Sequence, residues 1–196
     1  MTRIASITRK TSETEISLAL ALDGTGKTEI STGIGFFDHM LTAFGRHGLF
    51  DLTITAKGDL HIDSHHTVED VGIVLGQALR EALGEKRGIT RFGHAIIPMD
   101  EALVESVIDL SGRAHLSWSV AFESQMLGTM DTELFQEFFT ALANNALLTL
   151  HVTQKAGHNT HHVAEAAFKS VARALKMAAA IDPRAGAEIP STKGSL

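Results

Sequence analysis

Eleven histidines stand in a chain that has no cysteine and no tyrosine, and four of them fall into two copies of one pattern. The copies are His65-His66-Thr67-Val68-Glu69 and His161-His162-Val163-Ala164-Glu165. On an α-helix, residues three and four apart share a face, so the Glu can approach either His of its copy, while adjacent histidines point about 100° apart. One His-His pair can therefore serve two metal ions. Helix capping selects Ser, Thr, Asp or Asn rather than paired histidines, so a doubled occurrence argues for ligation. Without thiolates, His and carboxylate are the strong ligands on offer. That set suits Zn, Fe, Mn, Co or Ni alike and does not choose among them.

Such ligands need rigid supports, and the chain supplies the same supports twice. The motifs lie 96 residues apart (161 − 65), and at that offset Leu52-Thr53 meets Leu148-Thr149 and Ala78-Leu79 meets Ala174-Leu175. With a two-residue slip Thr42-Ala43-Phe44 meets Thr140-Ala141-Leu142, and Glu13, Ile16, Leu20 and Gly24 pair with Glu101, Val104, Ile108 and Gly112. The chain reads as two copies of one unit, joined near residues 84 to 95. Two repeats are too few for a solenoid, so packing about a pseudo-twofold axis around a shared core is expected.

Ile16, Leu18, Leu20 and Leu22 alternate up to the turn Asp23-Gly24-Thr25-Gly26 and predict a strand. Phe37, Met40, Leu41 and Phe44 predict a short helix that Gly45 or Gly48 can stop. Leu52, Ile54 and Ala56 predict a strand, and apolar positions 71, 74, 75, 78, 79, 82 and 83 a helix ending at Gly84, with each motif directly ahead of its long helix. In the second copy Val104 to Leu110, Leu116 to Val120 and Leu148 to Val152 read as strands. Phe135 to Leu142 and Phe168 to Met177 read as helices, the latter ended near Pro183. The fold class is α+β, with internally duplicated β/α half-units and two antiparallel-leaning sheets whose helices pack between them or on one face of each. The expected division is 1–92 for the first half, 93–182 for the second and 183–196 for a C-terminal tail.

Bulk properties exclude several function classes. At 196 residues, 44% hydrophobic and 20% charged, the chain can bury a core without disulfides, and no run of eighteen apolar residues predicts a membrane span. A net charge of −6 with interspersed signs offers no cationic stripe for nucleic acid. Met1 to Ser6 has no apolar segment followed by a small-residue cleavage site, so a cytoplasmic location is expected.

Four segments in order carry a family resemblance: Gly35-Phe36-Phe37-Asp38-His39-Met40-Leu41, Asp63 to Asp70, Gly157 to Glu165, and Ile189-Pro190-Ser191-Thr192-Lys193-Gly194. Together they resemble imidazoleglycerol-phosphate dehydratase in its monofunctional form, from about residue 3 to the end. The resemblance implies a ribosomal S5 domain 2-like repeat fold. It implies a carbon–oxygen lyase of histidine biosynthesis that dehydrates D-erythro-imidazole glycerol phosphate to imidazole acetol phosphate, with Mn2+ as cofactor, two per chain. Homo-oligomers are implied as well, trimers combined into an octahedral shell with metals at subunit interfaces.

Matched residue by residue, the implied metal ligands are His39, His65, His66, Glu69, His161, His162 and Glu165. At the repeat partner of His39, where many relatives carry His, this chain offers Glu137, and a carboxylate binds a hard divalent ion. The hydrogen removed in this reaction sits on a carbon with no adjacent carbonyl, so simple base catalysis fails. Imidazolate held between two metals can expel the side-chain hydroxyl to give a diazafulvene-like intermediate, which acidifies the neighbouring C–H for a carboxylate base. The family match gives that role to Glu13, with Glu101, its repeat mate, as the second candidate. For the substrate's phosphate the resemblance points to Arg91, Arg113, Lys169, Ser191, Thr192 and Lys193, and it places His47 near substrate. His61, His94, His115, His151 and His158 read as structural or surface residues.

Overall fold

The computed structural model describes residues 3–196. The first half runs β1 (Ile4–Lys10), β2 (Thr14–Ala21), β3 (Thr28–Ser31), α1 (Gly35–Gly48), β4 (Asp51–Gly58) and α2 (His65–Leu83). The second runs β5 (Phe92–Met99), β6 (Ala102–Asp109), β7 (His115–Ser119), a small hairpin of β8 (Met126–Leu127) and β9 (Met130–Asp131), then α3 (Leu134–Ala146), β10 (Thr149–Ala156) and α4 (Thr160–Ala179). The sheets are ordered β1-β2-β4-β3 and β5-β6-β10-β7, the same order twice. Element bounds carry the sequence pairing: β6 begins 88 residues after β2 (102 − 14), which makes Glu13 and Glu101 repeat mates. Helices α1 and α3 both end on a left-handed leucine, Leu49 and Leu147, 98 residues apart, which pairs His39 with Glu137.

Several features lay outside the sequence reading. β1, β3 and β5 show weak apolar alternation, and β5 begins inside the stretch read as a joint, covering its last four residues. The sheets are mixed: β3 is parallel to β4 and β7 to β10. A parallel neighbour needs a crossover, which α1 and α3 provide. Gly45 does not stop α1, because it sits inside the helix where a Cβ would meet Thr28 Cγ2 at 2.5 Å.

The helices lie between the sheets. α1 packs on β3 and β4 and also on α4, while α2 packs on β1, β2 and β4 and also on α3. α3 and α4 cover the second sheet in turn. The inward faces of β2 (Ile16, Leu18, Leu20) and β6 (Val104, Ile108) are buried, each such side chain worth about 1.5–3 kcal/mol. Phe138 and Phe168 stack at 5.3 Å between centroids, with Phe139 at 4.8 Å from Phe168.

The two helix crossings differ. At α2–α3 the backbones nearly touch: a Cβ at Gly72 would lie 2.7 Å from Phe138 O, and one at Gly76 would lie 2.7 Å from Leu142 O. Ninety-six residues on, α4 carries Phe168 and Ala172 in those places. No helix among the described residues is long and apolar enough to cross a membrane.

Candidate metal centre and active site

The motifs form the first turns of α2 and α4 rather than preceding them. Asn159 caps α4, its side chain accepting from the backbone N–H of His161 at 3.0 Å and of His162 at 3.2 Å. On α2 the Asp63 carboxylate accepts from His65 N–H at 2.7 Å. These caps also satisfy donors that a helix start leaves free.

Because α1 packs on α4, His39 meets His161 and Glu165, and the ligand atoms of the three lie within 4.8 Å of one another. Glu165 Oε2 is 3.2 Å from His39 Nε2 and 3.1 Å from His161 Nε2. Two ligands bound at right angles to one ion at about 2.1 Å stand roughly 3.0 Å apart. The donor atoms, their spacing and their chemistry therefore fit one divalent ion. Phe36 packs edge-on against His39 and His161, with centroids at 6.2 and 5.1 Å. The other oxygen, Glu165 Oε1, pairs with Lys169 Nζ at 2.6 Å. Burial pulls the Glu165 carboxyl up, but Lys169, His161 and His39 outweigh it and the group titrates below its ordinary value. Further along the same pair of helices, burial and then the charges of Lys169 and Arg173 hold His47 below the usual histidine value.

The remaining motif residues are distributed differently. His66 Nδ1 lies 3.0 Å from Asp59 Oδ2, and its Nε2 lies 3.9 Å from Glu13 Oε1. His162 Nδ1 lies 2.7 Å from Glu101 Oε2. These carboxylates raise both rings above the ordinary histidine value, Asp59 being the first cause for His66 and Glu101 for His162. In return the His162 hydrogen bond, followed by that from Asn159 N–H, lowers Glu101 to about 2. His65 lines a surface cavity of about 430 Å³ with Asp63, Asp131 and Glu133. Glu69 and Glu137 are half-buried and form no ion pair among the described residues. The repeat-mate set Glu137, His65 and Glu69 does not close within this chain as its counterpart does.

Of the phosphate candidates, Lys169 alone touches the cluster. Arg91 is engaged elsewhere: its guanidinium pairs with Asp109 at 2.8 and 3.2 Å and donates to Pro190 O at 2.8 Å. Its backbone N–H reaches Ala178 O near the C-terminal end of α4, thirteen residues from Glu165 and thus about 20 Å along a helix rising 1.5 Å per residue. Arg113 is exposed, and Gly112 beside it abuts Leu196. The tail bearing Ser191, Thr192 and Lys193 lies at that same end, its Ser191 Oγ accepting from Lys193 N–H at 3.2 Å.

A profile of the imidazoleglycerol-phosphate dehydratase family matches residues 32–175. The chain belongs to that family. The dehydratases of Granulibacter bethesdensis and Acidiphilium cryptum are 71% and 70% identical to it over 196 residues, covering all of both chains. The crystal structure of the Pyrococcus furiosus dehydratase superposes with a TM-score of 0.84 at 40% identity, over 97% of this chain and 100% of that one. The Staphylococcus aureus dehydratase gives 0.83 at 41% identity, over 91% and 99%. This family of hydro-lyases dehydrates imidazoleglycerol phosphate in histidine biosynthesis.

Asp59 belongs to no motif in the sequence. It follows β4 as an ordinary turn residue, and only the fold brings it to His66.

Proposed function

We propose that the chain catalyses a metal-dependent dehydration of D-erythro-imidazole glycerol phosphate, with Mn2+ at two sites per chain. The ligands are His39, His65, His66, Glu69, Glu137, His161, His162 and Glu165. The single observation that carries the metal reading is the His39–His161–Glu165 cluster, with three donor atoms from two helices and both halves of the repeat. Bound divalent ions supply Lewis-acid polarisation of the imidazole ring.

The chain's own groups do the rest. Loss of the hydroxyl beside the ring, leaving as water with the ring N–H proton, acidifies the neighbouring C–H; Glu13 takes that proton, the ring nitrogen regains one, and the resulting enol becomes the ketone. Glu13 is favoured over Glu101 by its surroundings. Glu101 is occupied by His162 Nδ1 and by Asn159 N–H at 2.8 Å, whereas the Glu13 carboxylate is half exposed and reaches no closer than 3.9 Å to His66 Nε2. Phosphate binding falls to Lys169, Arg91, Arg113, Ser191, Thr192 and Lys193, with His47 beside the substrate.

A ring, three carbons and a phosphate span roughly 10 Å end to end at covalent bond lengths. The separation of about 20 Å between the cluster and Arg91 is too long for one substrate within one chain. Arg91, Arg113 and the tail 183–196 therefore serve a neighbouring copy, and Glu69, Glu137 and His65 find their closing ligands across an interface. This favours the homo-oligomer, trimers in an octahedral shell with metals at subunit contacts, in the cytoplasm.

The test compares Glu13→Gln with His65→Ala by elemental analysis and by ultraviolet detection of the keto product. Glu13→Gln should lower turnover about a hundredfold or more while two metals per chain stay bound. His65→Ala should lower metal content and turnover together. Near-normal turnover of metal-replete Glu13→Gln would remove Glu13 as the base.

A further inference from the structure

We infer that Asp59 and Glu101 are positioning residues for the metal, each holding the second histidine of a motif by Nδ1 so that Nε2, which makes no hydrogen bond, is the nitrogen left to ligate. The inference rests on the metal reading above. An ionised carboxylate only accepts, so the nitrogen beside it carries the hydrogen, and in a neutral ring the other nitrogen is then the ligand. His66 Nδ1 donates to Asp59 Oδ2 at 3.0 Å, and His162 Nδ1 donates to Glu101 Oε2 at 2.7 Å. At the opposite nitrogens the nearest acids are Glu13 Oε1 at 3.9 Å and Asp100 Oδ2 at 3.8 Å, beyond hydrogen-bond reach. Both rings are thus fixed in the same sense.

The carboxylates that do this are not repeat mates. Glu101 precedes β6, and its mate Glu13 precedes β2. Asp59 follows β4, and the residue in the same place after β10, 98 positions on, is Gly157, which has no side chain to offer. In the second half the acid ahead of the strand therefore holds the ring. In the first half Asp59 takes over that hold, and its backbone N–H donates to Glu13 O at 3.1 Å, tying the two turns together. The replacement leaves the Glu13 carboxylate without a hydrogen bond to His66, available for other chemistry.

Asp59 is well placed to orient a ring, since its side chain is only 14% exposed against 33% for His66. Glu101 is additionally braced by the N–H groups of His158 at 3.4 Å and Asn159 at 2.8 Å. Each ring is therefore backed by an acid that is itself restrained.

The experiment measures Mn2+ affinity of the full-length oligomer by equilibrium dialysis for wild type, Asp59→Asn, Glu101→Gln, Glu13→Gln and the double variant Asp59→Asn/His66→Ala beside His66→Ala. Loss of a carboxylate behind a ligating imidazole weakens affinity about 10- to 100-fold, and that is expected for Asp59→Asn and Glu101→Gln. Glu13→Gln should stay within about threefold of wild type. Adding Asp59→Asn to His66→Ala should cost nothing more, since the carboxylate acts through the ring. Circular dichroism of the metal-free variants separates orientation from folding: a general structural role lowers their melting temperature and leaves a further loss in the His66→Ala background. Wild-type affinity in Asp59→Asn and Glu101→Gln, or additive losses in the double variant, overturns the inference. Failure of the wild type to bind Mn2+ overturns the metal reading and this inference with it.

Discussion

Replacing Glu165 by Gln should destabilise the metal-free protein as well as weaken its metal site, and the size of the effect follows from its neighbours. Glu165 is 8% exposed, and its Oε1 is the one anionic contact of Lys169 Nζ among the described residues, at 2.6 Å. Gln keeps the shape and removes the charge, leaving an ammonium whose side chain is 19% exposed without a counter-ion. Breaking a fully buried pair costs about 3–5 kcal/mol. Residual contact with water lowers this to about 2–3 kcal/mol. At roughly 2–4 °C per kcal/mol for a chain of this size, the melting temperature should fall by about 4–12 °C. The assay is thermal unfolding by circular dichroism in chelator, at one fixed protein concentration because assembly shifts the midpoint.

The double variant Glu165→Gln/Lys169→Met removes both charges and should recover more than half the loss. The sign of the pH dependence is fixed too. A carboxyl held below its ordinary value of 4.5 contributes stability above that value and loses it as pH falls through the lower folded value, so the gap between wild type and Glu165→Gln should close in acid. A Glu165→Gln protein melting within about 1 °C of wild type, or a double variant less stable than the single, would refute this account of the cluster.

Gly76→Ala gains up to about 1 kcal/mol of helix propensity, yet its Cβ would lie 2.7 Å from Leu142 O and 2.9 Å from Ala146 N. Overpacking of about 1–3 kcal/mol should prevail, and a variant more stable than wild type in denaturant titration would contradict the close crossing. Burial holds Lys86 below the ordinary 10.5, Asp109 opposing and Arg91 adding to the effect. Between that lowered folded value and 10.5 the unfolded chain binds more protons, so wild-type stability rises with pH in that window. As pH rises toward 10.5, melting curves of wild type and Lys86→Met should therefore draw apart in favour of wild type, and parallel curves would contradict it.

The parts of the fold that could be read from the sequence are those with one wet and one dry face. Ile16 to Leu22 alternates because β2 buries one side only, and the α2 pattern from Val71 to Leu83 marks a helix with one face in the core. β3 has four residues and mixed burial, and its parallel pairing depends on where α1 returns the chain. The doubled motif was visible as spacing. The cluster was not, because His39 reaches Glu165 over 126 positions through the packing of α1 on α4. Arg91 shows the other limit: an arginine reads as a free cation until Asp109 and Pro190 are seen to hold it. Asp59 looks like any turn aspartate until its distance to His66 is known.

The unequal crossings bear on what the two halves can be to each other. A symmetric dimer of one half would place the same residue at both helix contacts, and the position would have to suit both. In this chain it is Gly72 where the α2 and α3 backbones nearly touch and, at the matching place on α4, Phe168, whose ring stacks on Phe138 of α3. Phenylalanine at both places would strike the α3 backbone beside Gly72, and glycine at both would remove the Phe168 ring from its stack. Being joined in one chain lets the two halves differ at this place, and a pairing of two second halves would set a phenylalanine ring where the α2–α3 crossing has no room for a Cβ.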